Sequence, residues 1–263
     1  MKPAVVKIGG STLGNKDTTL EDLVELQKQG KSLVVVHGGA QEVSGWLSRL
    51  GISTSFIKGL RVTDAETLKV VAAILGGLVN KELVVAIQAL GGKAIGLSGS
   101  DGNLLWATIK SPELGYAGEI VTVDPAPLRL LLEAGYMPVV APVSFGSVGD
   151  RTMLLNVNGD AAAGEIAAAL AAEKLIFLTD VAGIHDGSGK VISRLNITKA
   201  RALLNSEVAS GGMIPKIEAS LKALTMIPMA RIIDGRIPHA LFKETSPERS
   251  EGSKIGGTTI VPE

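Results

Sequence analysis

The sequence predicts an α/β protein organised around a mainly parallel sheet. Three observations lead there. Short apolar strands alternate with amphipathic helices almost from end to end, the order that parallel βαβ units require. Apolar residues make up 46% of the chain and aromatics only 3%, which suits aliphatic packing of helices on a sheet buried on both faces. The first two strands each run into a glycine pair, Gly9-Gly10 and Gly38-Gly39, as strand-to-helix turns beside a ligand do. At 263 residues the chain can form one large domain or two lobes sharing a sheet.

The elements follow in order. Ala4 to Ile8 and Ser32 to Val36 are the first two predicted strands. Thr19 to Gln29 reads as a helix with Leu20, Leu23, Val24 and Leu26 on one side, and Gln41 to Leu50 as a second that Gly51 stops. Asp64 is a good N-cap for a helix carrying Leu68, Val71, Ala72 and Leu75, and the pattern resumes from Asn80 to Leu90 after Gly76-Gly77. Lys93 to Leu97 is a short strand. Leu104 to Lys110 and Glu119 to Val123 form an expected antiparallel hairpin inserted in the parallel pattern. A helix over Pro127 to Ala134 and a strand over Met137 to Val143 lead into a glycine-rich loop. Asn156-Val157-Asn158-Gly159-Asp160 then opens the helix Ala161 to Leu170, an alanine-rich candidate for a lobe junction. Beyond it come strands at Lys174 to Leu178, Ala230 to Ile233 and Thr258 to Val261, helices near Thr198 to Leu204 and Pro215 to Leu224, and a polar mobile loop over Pro247 to Gly257.

Composition removes several function classes. The 26 basic and 26 acidic side chains cancel, and no basic stripe invites nucleic acid. With no cysteine there is neither disulfide nor thiolate metal site. The N-terminus enters a strand without a signal-like segment. Apolar stretches such as Ala161 to Ala172 are too short to span a bilayer. A cytoplasmic protein that uses no membrane is expected.

Polar residues stand where strand ends should converge, the place where open α/β sheets bind ligands. Lys7 sits at the mouth of the first glycine turn, so the natural cargo is an anion, a transferring phosphoryl group or a carboxylate. Neither glycine run has the Walker spacing, which excludes an ordinary P-loop. Gly38-Gly39, Arg61, Asn156, Asn158, Asp160 and, late in the chain, Lys216 complete the set. Two lysines from opposite sides could stabilise a transferring phosphoryl group. An aspartate between them could hold both, at about 1 to 4 kcal/mol per pair. Arg61 offers a planar fork for a substrate carboxylate, and the asparagines offer amide hydrogens. Local sequence leaves duller roles open. Lys7 could reach solvent, Arg61 could pair with Asp64 or Glu66, and Asp160 could cap its own helix. His37 reads best as a histidine satisfied by backbone. His185 and His239 lack metal-ligand spacing, and Ser11 and Ser98 lack a histidine partner for nucleophilic work.

Taken together, these stretches resemble the amino-acid kinase family over nearly the whole chain. The distinctive runs are VVKIGGS (Val5–Ser11), VVVHGGA (Val34–Ala40), KGLRVTDAETL (Lys58–Leu68), NVNGDAAAGEIAAAL (Asn156–Leu170), LTDVAGI (Leu178–Ile184), GGMIPKIEASLKAL (Gly211–Leu224) and IIDGRIPHAL (Ile232–Leu241). The resemblance implies a three-layer α/β/α sandwich, with an acceptor-binding and dimerisation lobe over 1–172 and a nucleotide lobe over 173–263. It implies ATP as phosphoryl donor, Mg²⁺ on the ATP phosphates, and the side-chain carboxylate of N-acetyl-L-glutamate as acceptor, within arginine biosynthesis. Lys7 and Lys216 would stabilise the transferring group and Asp160 would organise them. Gly38, Gly39, Arg61, Asn156 and Asn158 would hold the acceptor. Gly9, Gly10, Asp180, Val181, Ala182, Gly183, Ile184, His185, Val208, Ala209, Ser210 and Met213 would line the nucleotide pocket. Three departures are visible. Ala40 replaces a frequent third glycine, the chain starts at the first strand, and Lys243 to Gly257 is long and polar. They lead to the expectation of a homodimer insensitive to arginine. The rival readings are a kinase for a carrier-protein-linked aminoadipate or glutamate, a kinase for an oxyacid such as carbamate, and a non-catalytic amino-acid or nucleotide sensor.

Overall fold

The computed structural model describes residues 2–9, 18–206, 211–245 and 255–263. The chain opens with β1 (Ala4–Ile8), α1 (Thr19–Lys28), β2 (Leu33–His37) and α2 (Ala40–Arg49). A small hairpin, β3 (Phe56–Ile57) and β4 (Leu60–Arg61), precedes α3 (Ala65–Val71), which passes through a π-helical stretch (Ala72–Val79) into α4 (Asn80–Ala89). Then come β5 (Ala94–Ser98), β6 (Leu105–Ile109), β7 (Ala117–Val123), α5 (Ala126–Glu133) and β8 (Met137–Ala141). β9 (Val143–Val148) and β10 (Arg151–Val157) lead into α6 (Gly159–Ala169) and β11 (Lys174–Thr179). The chain closes with β12 (Arg194–Asn196), α7 (Ile197–Leu204), α8 (Met213–Ala223), β13 (Ala230–Asp234), α9 (Ala240–Thr245) and β14 (Thr258–Val261).

Eight strands form one sheet in the order β12-β14-β13-β11-β1-β2-β8-β5. It is parallel from β13 to β5, and β14 turns antiparallel against β13. The sheet runs unbroken from β1 to β11, its two inner neighbours across residue 172. β1 and β2 are buried along their whole length, as the continuous apolar runs AVVKI and LVVVH require. One face packs Val5, Val34, Val36 and Phe177 under Ile166 of α6 and Ile217 of α8. The other packs Val6, Ile8 and Val35 under Leu23 of α1, Leu47 of α2 and Leu75. Strand alternation therefore puts Lys7 on the α6–α8 side, two residues after Val5. These helices approach closely: a Cβ on Gly164 of α6 would stand 2.6 Å from the Ala219 carbonyl oxygen of α8.

The expected hairpin of β6 and β7 is present, antiparallel with a register shift between Trp106 and Ala107. The expected glycine-rich loop after β8 is instead a second hairpin, β9 and β10. The four strands close into a small barrel in the order β10-β7-β6-β9. Gly146 belongs to that wall, because a Cβ there would collide with the Ala107 carbonyl. Of the glycines that suggest a loop, Gly146 is thus a barrel-packing residue, while Gly149, with φ of 59°, makes the tight turn between β9 and β10.

The two predicted helices around Gly76-Gly77 form one continuous helix, Ala65–Ala89, whose π-helical stretch absorbs both glycines. At 25 residues it is long and apolar enough to cross a membrane, unlike Ala161 to Ala172. In the fold it sends Leu68, Val71, Ile74, Leu75, Val79, Leu83 and Ile87 into buried positions. β3–β4, β12 and α9 are further elements beyond the expected set. Most of the loop expected over Pro247 to Gly257 lies outside the described residues.

Candidate active site

Lys7 near the end of β1, Asp160 in the first turn of α6 and Lys216 in the first turn of α8 meet at the top of the sheet. Lys7 Nζ stands 2.9 Å from Asp160 Oδ1, and Lys216 Nζ donates to Asp160 Oδ2 at 3.1 Å. The Lys7 contact is an ion pair, and Oδ1 has no aligned hydrogen bond among the described residues. All three side chains are nearly buried. Burial pushes the Asp160 carboxyl up, and the two ammonium groups outweigh it and hold its pKa below the usual carboxylate range. Two cations against one anion leave one positive charge in excess, in a site of low dielectric. That arrangement favours an incoming anion. Asp160 does not cap its helix. Asn158 does, accepting from the backbone N–H groups of Asp160 at 2.8 Å and Ala161 at 3.0 Å.

A cavity of about 310 Å³ runs from Lys7 and Asp160 to Arg61, lined also by Gly38, Gly39, Asn156 and Asn158. Lys216 reaches its end only through Asp160. Arg61 is buried, and burial lowers its guanidinium pKa. Its Nη2 donates to Ala40 O at 2.9 Å and to Ser44 Oγ at 2.8 Å, and its Cζ lies 4.7 Å from the centre of the Phe56 ring. Nη1 is buried without a hydrogen-bond partner among the described residues. One arm of the fork is fixed, and the other is a buried donor whose hydrogen-bonding capacity no described residue uses. The acidic neighbours are occupied elsewhere. Asp64 caps α3 through the Thr67 N–H at 2.8 Å, and Glu66 pairs with Lys69 at 2.7 Å.

Asn156 spends one amide hydrogen on Thr63 Oγ1 at 3.0 Å, so it has one left to offer. At the glycine turn, Gly38 N–H donates to Ile8 O at 2.9 Å, leaving the Gly39 N–H as the next backbone donor. Gly39 has φ of 141°, and a Cβ on it would lie 2.7 Å from Leu75 Cδ2, so only glycine fits there. His37 is satisfied by backbone, as expected: its Nδ1 lies 2.7 Å from Gly38 O. Burial pushes its pKa down to about 4 against the Gly38 hydrogen bond, with help from Lys7 and Lys81.

The expected nucleotide residues that the structure describes, Gly9, Asp180 to His185 and Met213, lie apart from this cavity. Asp180 to His185 follow β11 as a loop. Its Ile184 is buried in the core and donates its N–H to Thr258 Oγ1 at 2.8 Å. Gly183, with φ of 144°, packs tightly on Thr258 and Val191. Gly9 N–H bonds Leu178 O at 3.3 Å, and Met213 starts α8 half-buried. Gly10, Val208, Ala209 and Ser210 lie outside the described residues. Ser44, Phe56 and Thr63 are site residues that sequence reasoning did not single out. Only the spacing of Ala40 and Ser44 on one helix face could have pointed to any of them.

Residues 2–234 match the family model described as Amino acid kinase family. An acetylglutamate kinase of Dehalococcoides mccartyi is 46% identical over 261 residues, covering 98% of this chain and 93% of that one. An N-acetylglutamate synthase structure from Neisseria gonorrhoeae, complexed with coenzyme A and N-acetyl-glutamate, superposes with a TM-score of 0.82 at 27% identity. It covers 100% of this chain and 60% of that one. The carbamate kinase of Giardia lamblia bound to AMP-PNP shares the fold, with a TM-score of 0.71 at 14% identity over 100% of this chain and 99% of that one. On the match along the sequence and the shared architecture, the chain belongs to the amino acid kinase family.

Proposed function

We propose that this chain catalyses the acetylglutamate kinase reaction. The γ-phosphoryl group of ATP passes to the side-chain carboxylate of N-acetyl-L-glutamate, giving N-acetylglutamyl 5-phosphate and ADP for arginine biosynthesis. One observation carries the reading beyond likeness to relatives. A single cavity has the Lys7–Asp160 pair, backed by Lys216, at one end and the buried Arg61 guanidinium, its Nη1 without a partner among the described residues, at the other. That polarity suits a dicarboxylic acceptor held by one carboxylate and phosphorylated on the other.

A side-chain carboxylate oxygen of the acceptor forms the new bond to Pγ while the bond from Pγ to the bridging oxygen of ADP breaks. No proton need be removed, because the nucleophile is already an anion. Lys7 and Lys216 offset charge on the equatorial and bridging oxygens, and Asp160 keeps both ammonium heads in place. Arg61 Nη1 takes the α-carboxylate, and Gly38, Gly39, Asn156 and Asn158 bind the rest of the acceptor. The nucleotide lies toward Asp180 to His185, Val208 to Ser210 and Met213 in the lobe over 173–263, and toward Gly9 and Gly10 of the lobe over 1–172. Mg²⁺ supplies charge neutralisation on the ATP phosphates. Asp160 is committed to two lysines, so a bound Mg²⁺ would be held mainly by the nucleotide itself. The enzyme acts in the cytoplasm as a homodimer joined through the lobe over 1–172. Exposed Leu78 and Val85 on the long helix support that interface.

The test is an ADP-release assay with ATP, Mg²⁺ and either N-acetyl-L-glutamate or free glutamate, with hydroxylamine to trap the acyl phosphate. Turnover and hydroxamate with the acetylated acid alone are expected. Silence with both acids would move the substrate to one presented on a carrier protein.

A further inference from the structure

His37 is fully buried beside the transfer centre, and the mechanism above gives it no role. Its ring is held at both nitrogens. Nδ1 lies 2.7 Å from Gly38 O, an atom that can only accept, so Nδ1 carries the proton. Nε2 lies 3.2 Å from Asn80 Nδ2, a donor, so Nε2 accepts. The Asn80 amide is oriented in turn. Its Nδ2 donates to Val139 O at 2.8 Å, and its Oδ1 accepts from Lys81 Nζ at 2.9 Å. A rotated amide would set two acceptors against each other. The pKa of about 4 fits this picture of a neutral ring with one fixed tautomer.

The tautomer has a consequence for the backbone. A hydrogen bond from Nδ1–H fixes the direction of the Gly38 carbonyl. Across a trans peptide the following N–H points the opposite way, and no cis bond is present among the described residues. Strand alternation puts His37 on the face opposite Lys7, so the Gly39 N–H is turned toward the Lys7 side. Gly159 marks that side: a Cβ on it would lie 3.3 Å from His37 O and 3.5 Å from Lys7 Cε.

We propose that His37 and Asn80 are positioning residues that aim the Gly39 N–H at the oxygen on which negative charge grows during phosphoryl transfer. The inference rests on the kinase reading of this site. It assigns His37 no proton transfer and no contact with substrate.

Two measurements test it. The first is the ¹⁵N spectrum of the wild-type histidines at neutral pH, which should show His37 as the Nδ1–H tautomer. An Nε2–H tautomer or an imidazolium would overturn the proposal, whatever the variants do. The second compares His37→Leu, which has no ring donor, with His37→Asn, whose amide can occupy the Nδ1 position. Misaiming one backbone donor should cost His37→Leu about 100-fold in kcat, with KM for both substrates within about threefold. His37→Asn should recover at least tenfold of that loss. A loss shared equally by the two variants, or one that appears in KM, would mark His37 as merely structural. If neither variant folds, the tautomer alone decides. A wild-type enzyme without turnover would instead sink the kinase reading, which the same assay shows separately.

Discussion

Asn158 Oδ1 accepts the backbone N–H of Asp160 at 2.8 Å, so the helix cap and the lysine bridge belong to different side chains two residues apart. Asp160 enjoys the positive end of α6 without being consumed by it. The two roles should separate on mutation. Asn158→Ala should cost about 1 kcal/mol of stability through the lost cap, read from urea unfolding. Asp160→Asn keeps cap and volume and removes the charge between two ammonium groups. Its kcat should fall by about two orders of magnitude or more, and it should lose more stability than Asn158→Ala, because two nearly buried ammonium groups are left without their counter-ion.

Replacing Lys7 or Lys216 by Met should lower kcat by orders of magnitude and leave KM for both substrates within a few-fold. Each variant also leaves half of a buried carboxylate unpaired. A stability loss of about 1–3 kcal/mol is therefore expected for each. Steady-state kinetics beside urea titrations check both halves, and equal losses in kcat and KM would contradict the assigned roles.

Arg61→Ala should act through the acceptor, raising its KM about 100-fold with kcat nearly kept. Arg61→Lys should not rescue it. An ammonium cannot hold Ala40 O and Ser44 Oγ with one nitrogen and present another to the cavity. Ser44→Ala should show the same KM effect in milder form. Titrating N-acetyl-L-glutamate at saturating ATP distinguishes these outcomes.

His37 also predicts the pH dependence of stability. Its folded pKa is about 4 against an ordinary 6.5, so the unfolded chain takes up the proton first as pH falls. The native state is fully favoured above pH 6.5 and loses about 3 kcal/mol from this group between pH 6.5 and 4. Below that, protonation of Asp160 adds a loss of the same sign. Unfolding free energies at pH 7 and 4.5 should differ less in His37→Leu than in the wild type. An unchanged slope would contradict a buried neutral ring.

Much of this site is readable from the chain alone, because strand ends and glycine pairs are local signals. Lys7 and Gly38-Gly39 follow directly from apolar runs that stop at glycine. Asp160 does not, since a carboxylate two residues after an asparagine looks like a cap until its lysines arrive from positions 7 and 216. Arg61 misleads in the same way. Asp64 and Glu66 are near in sequence, while its actual partner Ser44 lies 17 residues back on another helix. The strands over 143–157 escaped for a different reason. A four-stranded barrel has so narrow a bore that its walls need Gly146, and glycine in a strand carries the signature of a loop.

Gly164 does not line the acceptor cavity, yet it sets how far apart Asp160 and Lys216 are anchored. Because α6 meets the backbone of α8 there, the separation of Asp160 from Lys216 is gauged by main chain and is indifferent to the side chains of the acceptor cavity. Phe56, Leu60 and Ile120 can then be exchanged to admit a longer or bulkier acid while the phosphoryl machinery keeps its alignment. The molecule is modular in that sense. The far wall of the cavity can change without moving the lysine bridge, but a single methyl at position 164 would disturb both, because Ala161 and Glu165 of the same helix also line the cavity.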